Sequence, residues 1–307
     1  MISFLLIKQI AQLFLAMLMG WVLVRTKLLK PEESRILSVV SLYLAMPCMI
    51  VSAFQIDCTP ELLSGLLLSL GAAAVIHSLF FLLTAGLGKA LRLGRVERAS
   101  IIYPNAGNLI IPIVGAVIGK EWVIFTSMFS SLQLVLLWSH CRILMSGQER
   151  LSLKGLLCNI NIFAILAGLL LFLFQIPLPG VLSGAMDSVG AMIGPISMIV
   201  AGMLIGGMDL KKAFSNPSVW KAVILRLIVY PLVVLCLLKW SGATALAPDG
   251  GTVLLISLLA AAAPSAATVM QMAQVYGQDA ETAGAIYAMT TLLCIVTMPL
   301  MAMLYQL

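Results

Sequence analysis

The chain has 307 residues, of which 62% are hydrophobic and 10% charged, with 18 Lys+Arg against 12 Asp+Glu. A soluble domain carries about 25% charged residues, so the composition excludes an ordinary soluble enzyme, and the surplus of apolar residues excludes a disordered chain. At ~20 apolar residues per crossing, the length accommodates about ten membrane spans and no separate soluble domain.

Residues 3–24 form the first predicted span, with Lys8 inside it. Bulky residues such as Trp21 follow where a cleavage site would need small ones, so a retained span is expected rather than a leader. Charge-free stretches of membrane length then run over Ile36–Ile56, Leu62–Gly88, Ala99–Gly119 and Trp122–Cys141. Further ones run over Gly155–Met186, Ser188–Met208, Gly250–Gln278 and Thr282–Leu307. Gly155–Met186 holds one span, a Pro177-Leu178-Pro179-Gly180 turn and the start of the next, and residues 218–240, with Arg226, complete the set. The segments are about twice the length of a barrel strand and do not alternate, which predicts helices.

Basic residues sort to one side. Arg25, Lys27, Lys30 and Arg35 follow the first span; Lys89, Arg92, Arg95 and Arg98 follow the third. Arg142, Arg150 and Lys154 follow the fifth, and Lys211, Lys212 and Lys221 the seventh. The other side holds Lys8, Lys120 and Lys239. The positive-inside rule then predicts cytoplasmic basic loops and both termini outside, in a bacterial inner membrane. Nucleic acid is excluded as a partner, because no basic stretch carries interleaved aromatics. Cys48, Cys141, Cys158, Cys236 and Cys294 lie in or beside spans and Cys58 in an outer loop, which predicts apolar packing residues rather than a disulfide framework.

The expected fold class is an all-α polytopic membrane protein of ten helices, arranged as two inverted five-helix repeats, 1–150 and 151–307. Five spans per half is an odd number, so the second half enters the membrane upside down. The halves share punctuation: Pro47 in the second span matches Pro195 in the seventh, and breaks interrupt the fourth and ninth. Prolines at corresponding places of inverted repeats point to a transporter site.

The first break reads Tyr103-Pro104-Asn105-Ala106-Gly107-Asn108, followed by Pro112. At 1.5 Å per residue Asn108 lies ~14 Å in from Ala99, near the middle of the apolar layer. Two amides at that depth need partners. Pro112 removes a backbone donor and frees the Asn108 carbonyl, and Gly107 lets the chain bend. The second break reads Ala263-Pro264-Ser265. Pro264 suits the first position of a new half-helix, on which Ser265, Thr268 and Gln271 are expected to share a face. If the breaks face each other, two helix N-termini offer free N–H groups and partial positive charge at the membrane centre. With few acids nearby, that favours an anionic substrate.

Other polar residues are weighed singly. Arg226 is expected to snorkel to the lipid interface, with attraction of an anionic substrate as the alternative. Asp187 is expected to cap near the outer surface, with cation or proton binding as the alternative. His77 and His140 are expected to be packed and hydrogen-bonded, and Gln133, Asn159 and Asn161 to bond between helices. No phosphate loop, HExxH, GxSxG or metal-spaced cluster occurs, so neither an enzyme nor a cofactor or metal site is expected.

The run Asn105-x-Gly107-x-x-x-x-Pro112 resembles the fourth span of the auxin efflux carrier family, bacterial branch. Leu44-Ala45-Met46-Pro47, Ala263-Pro264, Ala273-Gln274-Val275-Tyr276-Gly277 and Thr290–Pro299 are similar to the family's other segments. The resemblance covers nearly the whole chain. It implies secondary transport of small organic anions, auxin in plants and dicarboxylates such as malate or malonate in bacterial relatives. It also implies a ten-helix inverted-repeat fold, similar to bile-acid symporters, whose broken fourth and ninth helices cross. Plant members read Asn-Pro-Asn at the first break where Tyr103 precedes Pro104 here, which sets auxin itself apart as a substrate.

The expected function is a secondary carrier of a small organic anion working by alternating access. The first, second, sixth and seventh spans would form a scaffold and the other six a mobile domain. Asn105, Asn108, Ser265, Thr268 and Gln271 would bind substrate, while Pro104, Gly107, Pro112 and Pro264 keep the crossover open. The alternatives are a sodium-coupled symporter of the bile-acid type and a non-transporting membrane sensor or partner subunit. The lipid bilayer and the anion are the expected partners, and a homodimer is carried as an option.

Overall fold

Helices account for every regular element among the described residues, as a backbone with no water to bond requires. The computed structural model describes residues 2–57, 59–147, 160–209, 211 and 215–307. Cys58, Arg150, Lys154, Cys158, Asn159 and Lys212 lie outside the described residues, as do the repeat boundary near residue 150 and the side chains of Lys8 and Gln271.

In chain order the helices are α1 (Ile2–Arg25), α2 (Pro31–Ala53), α3 (Pro60–Ala90), α4 (Arg95–Ile102), α5 (Ala106–Val117) and α6 (Lys120–Ser146). The second set is α7 (Ile160–Leu173), α8 (Gly180–Gly207), α9 (Pro217–Trp240), α10 (Gly250–Ala262), α11 (Ala267–Val275) and α12 (Ala280–Gln306). Six of them, α2, α3, α6, α8, α9 and α12, are long and apolar enough to cross a membrane by length and composition. The segments expected as fourth and ninth spans are each split, into α4 and α5 and into α10 and α11.

Two groups of helices assemble. α1 lies along α8, and α2 packs on α7 and α8. In the other group α3 packs on α6 and α10, and α12 runs past α4, α9, α10 and α11. Lipid tails are as apolar as leucine, so close backbone contact rather than hydrophobicity joins helices here. The α1–α8 contact illustrates it: a Cβ on Gly202 would lie 1.8 Å from the Met17 carbonyl oxygen, and one on Gly20 2.1 Å from that of Ile199. Large apolar side chains such as Met19, Leu82, Phe163 and Val296 are exposed, as lipid-facing residues must be.

Prolines shape the spans at particular places. Four wide π-type turns occur among the described residues; those at Ser41–Ala45, Ala106–Ile110 and Leu225–Val229 each end two residues before a proline, Pro47, Pro112 and Pro231, whereas Leu137–Cys141 has none after it. A proline lacks the N–H that would bond four residues back, and its ring clashes with that carbonyl. The carbonyls in question belong to Tyr43, Asn108 and Leu227, all inside the widened turns. Extra room relieves the clash, and such turns recur at functional sites. These three carry Ser41, Asn108 and Arg226.

Candidate functional site

The two unwound stretches meet. Asn105 N–H donates to the Pro264 carbonyl at 2.7 Å, and Ala266 N–H donates to the Tyr103 carbonyl at 2.9 Å, forming a short antiparallel bridge between Pro104 and Ser265. The pairing explains why residues 264–266 stay extended. It also corrects one expectation: Pro264 does not open the half-helix, which starts at Ala267, so Ser265 lies in the extended stretch rather than on a helical face with Thr268.

Each break is held by a polar side chain from the long helix that follows it. Gln133 of α6 donates through Nε2 to the Pro104 carbonyl at 2.6 Å. Thr290 of α12 accepts the Ser265 N–H at 3.1 Å. Tyr103 places its hydroxyl 3.0 Å from the Leu136 carbonyl and 2.8 Å from His140 Nδ1. His77 bonds its own helix, Nδ1 to the Ala73 carbonyl at 2.8 Å, and packs against Phe129.

Arg226 departs furthest from expectation. It neither reaches the lipid interface nor sits free to attract an anion, because it is 0% exposed and its guanidinium is engaged by backbone carbonyls. Nε donates to Ala263 at 2.9 Å, Nη1 to Ile101 at 2.7 Å and Nη2 to Ala261. Those acceptors lie at the C-terminal ends of α4 and α10, where helices leave carbonyls unpaired. The wide turn in α9 carries Arg226 to them.

Gly107 is corrected as well. Its φ is not positive, so the chain needs no glycine there in order to bend. A Cβ would instead lie 3.1 Å from Met46 Cε, so the missing side chain leaves room for α2 to approach.

A cleft follows the boundary between the two helix groups. At its middle a cavity of about 20 Å³ is lined by Asn108 and Thr268 from the crossover and by Ser38, Ser41, Ser197 and Tyr287 around them. Ser41 and Ser197 lie 3.3 Å apart across α2 and α8. The Oδ1 of Asn108 is buried and has no partner. Asn105 and Ser265, 4% and 1% exposed, carry unpartnered Nδ2 and Oγ atoms but do not line this cavity. Of the residues singled out in the sequence, Asn108 and Thr268 are therefore brought to one space. Sequence reasoning missed the serines, although Ser34, Ser38 and Ser41 form a helical stripe, all buried.

Wider spaces lie on either side. One of about 890 Å³, on the side of the basic loops, is lined by residues including Pro31, Met208, Pro217 and Met270, with Asp209, Asp279 and Glu281 at its wall. Another of about 580 Å³ opens on the opposite side among Met49, Pro112, Gly190 and Pro195, with Lys120 and Asp187. The central cavity separates them, and at ~20 Å³ it holds about one water.

A family model described as a membrane transport protein matches the chain over residues 5–154 and 149–302. The chain belongs to this family, that of the auxin efflux carriers. A search of curated proteins returned no match. Members of the family are transporters, not enzymes. Among the described residues no group of three or more His, Cys, Asp or Glu is placed to hold a metal ion.

Proposed function

We propose that this transporter is a secondary carrier that moves a small organic anion by alternating access, with the crossover as its binding site. The observation that carries the reading is the buried, unpartnered Asn108 Oδ1 at a hydroxyl-lined cavity midway between two larger spaces. An unsatisfied polar atom at that depth is costly; Oδ1 is an acceptor, so a lining hydroxyl or a protonated carboxyl completes it, while an ionised carboxylate takes the donors of the site. Asn108 and Thr268 bind the anion from the crossover side; Ser41 and Ser197 complete the site from α2 and α8. The amide of Asn108 offers Nδ2 donors to a carboxylate, and the N-termini of α5 and α11 add partial positive charge.

Ten spans in two inverted repeats, with basic loops in the cytoplasm and both termini outside the inner membrane, fit the charge distribution and the paired breaks. The cavity in the present state is too small for a dicarboxylate, so the scaffold of α1, α2, α7 and α8 must part from the crossover group to admit it. Malonate is the proposed probe.

The test is exchange of radiolabelled malonate in vesicles containing purified protein. Asn108→Ala and Thr268→Val are expected to cut exchange by about tenfold or more, the scale for losing a hydrogen bond to a charged ligand, while melting temperatures stay near that of wild type. Folded variants that exchange malonate at the wild-type rate would remove the crossover as the site.

A further inference from the structure

A helix broken inside a membrane presents charged ends. α4 and α10 end at the crossover and bring roughly half an elementary negative charge each, while α5 and α11 begin there and bring roughly half a positive charge each. The four cancel, so the bare crossover has no preference for the sign of a ligand. Arg226 alters that balance.

Its guanidinium is fully buried, and all three of its nitrogens donate to carbonyls at the ends of α4 and α10: Ile101, Ala261 and Ala263. Its Cζ lies 5.2 Å from the centre of the Phe80 ring. Tyr230, one turn further along α9, bonds Thr84 at 2.9 Å. Among the described residues no carboxylate pairs with it. A buried charge needs compensation, and here the two negative helix ends supply it. Together they carry roughly one elementary charge, which one guanidinium neutralises.

We propose that Arg226 is a resident cation of the crossover: it cancels the negative helix ends, leaves the positive ends uncompensated, and so sets the preference for anions. The same three carbonyls are hard oxygen ligands of the kind a sodium ion takes, and the guanidinium occupies them. Transport is therefore independent of sodium. Arg226 touches no substrate in this scheme; it is a positioning residue acting through the helix ends. Its effect on substrate choice rests on the anion-carrier reading, whereas its role as a cation does not.

The experiment uses the full chain with Arg226→Gln, which keeps donors without charge, and Arg226→Lys, which keeps charge with a poorer fit to three carbonyls. Thermal unfolding is followed in detergent with guanidinium, sodium or choline chloride at equal, non-denaturing concentration. Arg226→Gln is expected to melt below wild type and to recover with guanidinium or sodium, but not with choline; wild type should respond to none of them. In vesicles, wild-type malonate exchange should be unchanged when sodium is replaced by choline. Arg226→Gln should exchange roughly ten- to a hundredfold more slowly, the scale for losing one charge that acts over about 8 Å at an effective dielectric of about 20, and regain exchange with the small cations. Arg226→Lys should keep sodium-independent exchange at a reduced rate.

Arg226→Gln that is indifferent to cations, or that exchanges malonate like wild type, overturns the proposal. So does wild type that requires sodium. If Arg226→Gln yields no folded protein, Arg226→Lys decides: loss of malonate binding from folded Arg226→Lys is the overturning result. Wild type that moves no malonate while Arg226→Gln is still rescued by guanidinium would remove the anion-carrier reading and leave the resident cation standing.

Discussion

At the scale of single residues, the crossover depends on polar atoms that bond backbone rather than substrate. Gln133 Nε2 and Thr290 Oγ1 each hold one break. Replacing Gln133 with Leu leaves the Pro104 carbonyl buried and unpaired, which costs about 1–3 kcal/mol. Thr290→Val preserves shape but strands the Ser265 N–H, with a cost of the same order, ~1–3 kcal/mol. Thermal unfolding in detergent should place both variants below wild type, and a Gln133→Leu,Thr290→Val double variant should fall by less or more than the sum, because the breaks are paired to each other. Strict additivity would mean the two supports act independently. At this scale the sequence was informative about Asn108, whose depth and nearby Pro112 mark it as an intramembrane amide beside a break. It was uninformative about Arg226. Counting residues from a helix end gives depth but not direction, and the residues around Arg226, Ala222–Val229, are apolar on every side of α9, so nothing marked the face that turns inward. Gln133 was expected to bond between helices and does, but its partner was not legible, nor was Thr290 as a support, since the groups they hold lie 29 and 25 residues away in sequence and meet them by packing alone.

At the scale of elements, prolines act through the turns that precede them. In an ordinary helix interior, Pro→Ala is worth about 3 kcal/mol in favour of the helix. Pro231 follows the wide turn that presents Arg226 to the crossover. Pro231→Ala restores the N–H that can bond the Leu227 carbonyl and allows the turn to close, and removing one residue from a turn rotates what lies on one side by about 100°. The guanidinium would then leave its three carbonyls. Pro231→Ala is therefore expected to lower the melting temperature and slow malonate exchange, the reverse of its sign in a regular helix. A more stable, fully active variant would show that Arg226 reaches its carbonyls without the widened turn. Pro112→Ala should behave likewise through Asn108, with less effect on stability because α5 carries no buried charge. The breaks were legible because proline and asparagine are expensive inside lipid. The start of α11 was misread for a physical reason: Pro264 satisfies the local rule for a helix start, but pairing with residues 103–105 overrides it, and that partner is 160 positions away, as from Pro104 to Pro264.

At the scale of the whole molecule, the cleft divides helices by group rather than by order in the chain. α1 and α2 stand with α7 and α8, although α3 to α6 intervene in sequence. That grouping was expected from the resemblance, and no local pattern encodes it. The consequence is mechanical. The two larger spaces have no lining residue in common, and Asn108, Thr268, Ser41 and Ser197 line the small cavity between them, so relative motion of the groups is expected to open one side as it closes the other. Single cysteines at Met208 and at Gly190, each in a background with all native cysteines replaced, sample the two spaces. Gly190→Cys carries a cost, since its Cβ would lie 3.0 Å from Met49 Cα, so Ala191→Cys serves as its control in the same wall. A membrane-impermeant thiol reagent applied from each side should label Met208→Cys from the basic-loop side and Ala191→Cys from the other. A ligand shifts an equilibrium only by binding one state better than the other. Saturating malonate should therefore change the two labelling rates in opposite directions. Rates that rise or fall together, or labelling of both positions from one face, would mean that the spaces are not alternately exposed and that the two helix groups do not move as units.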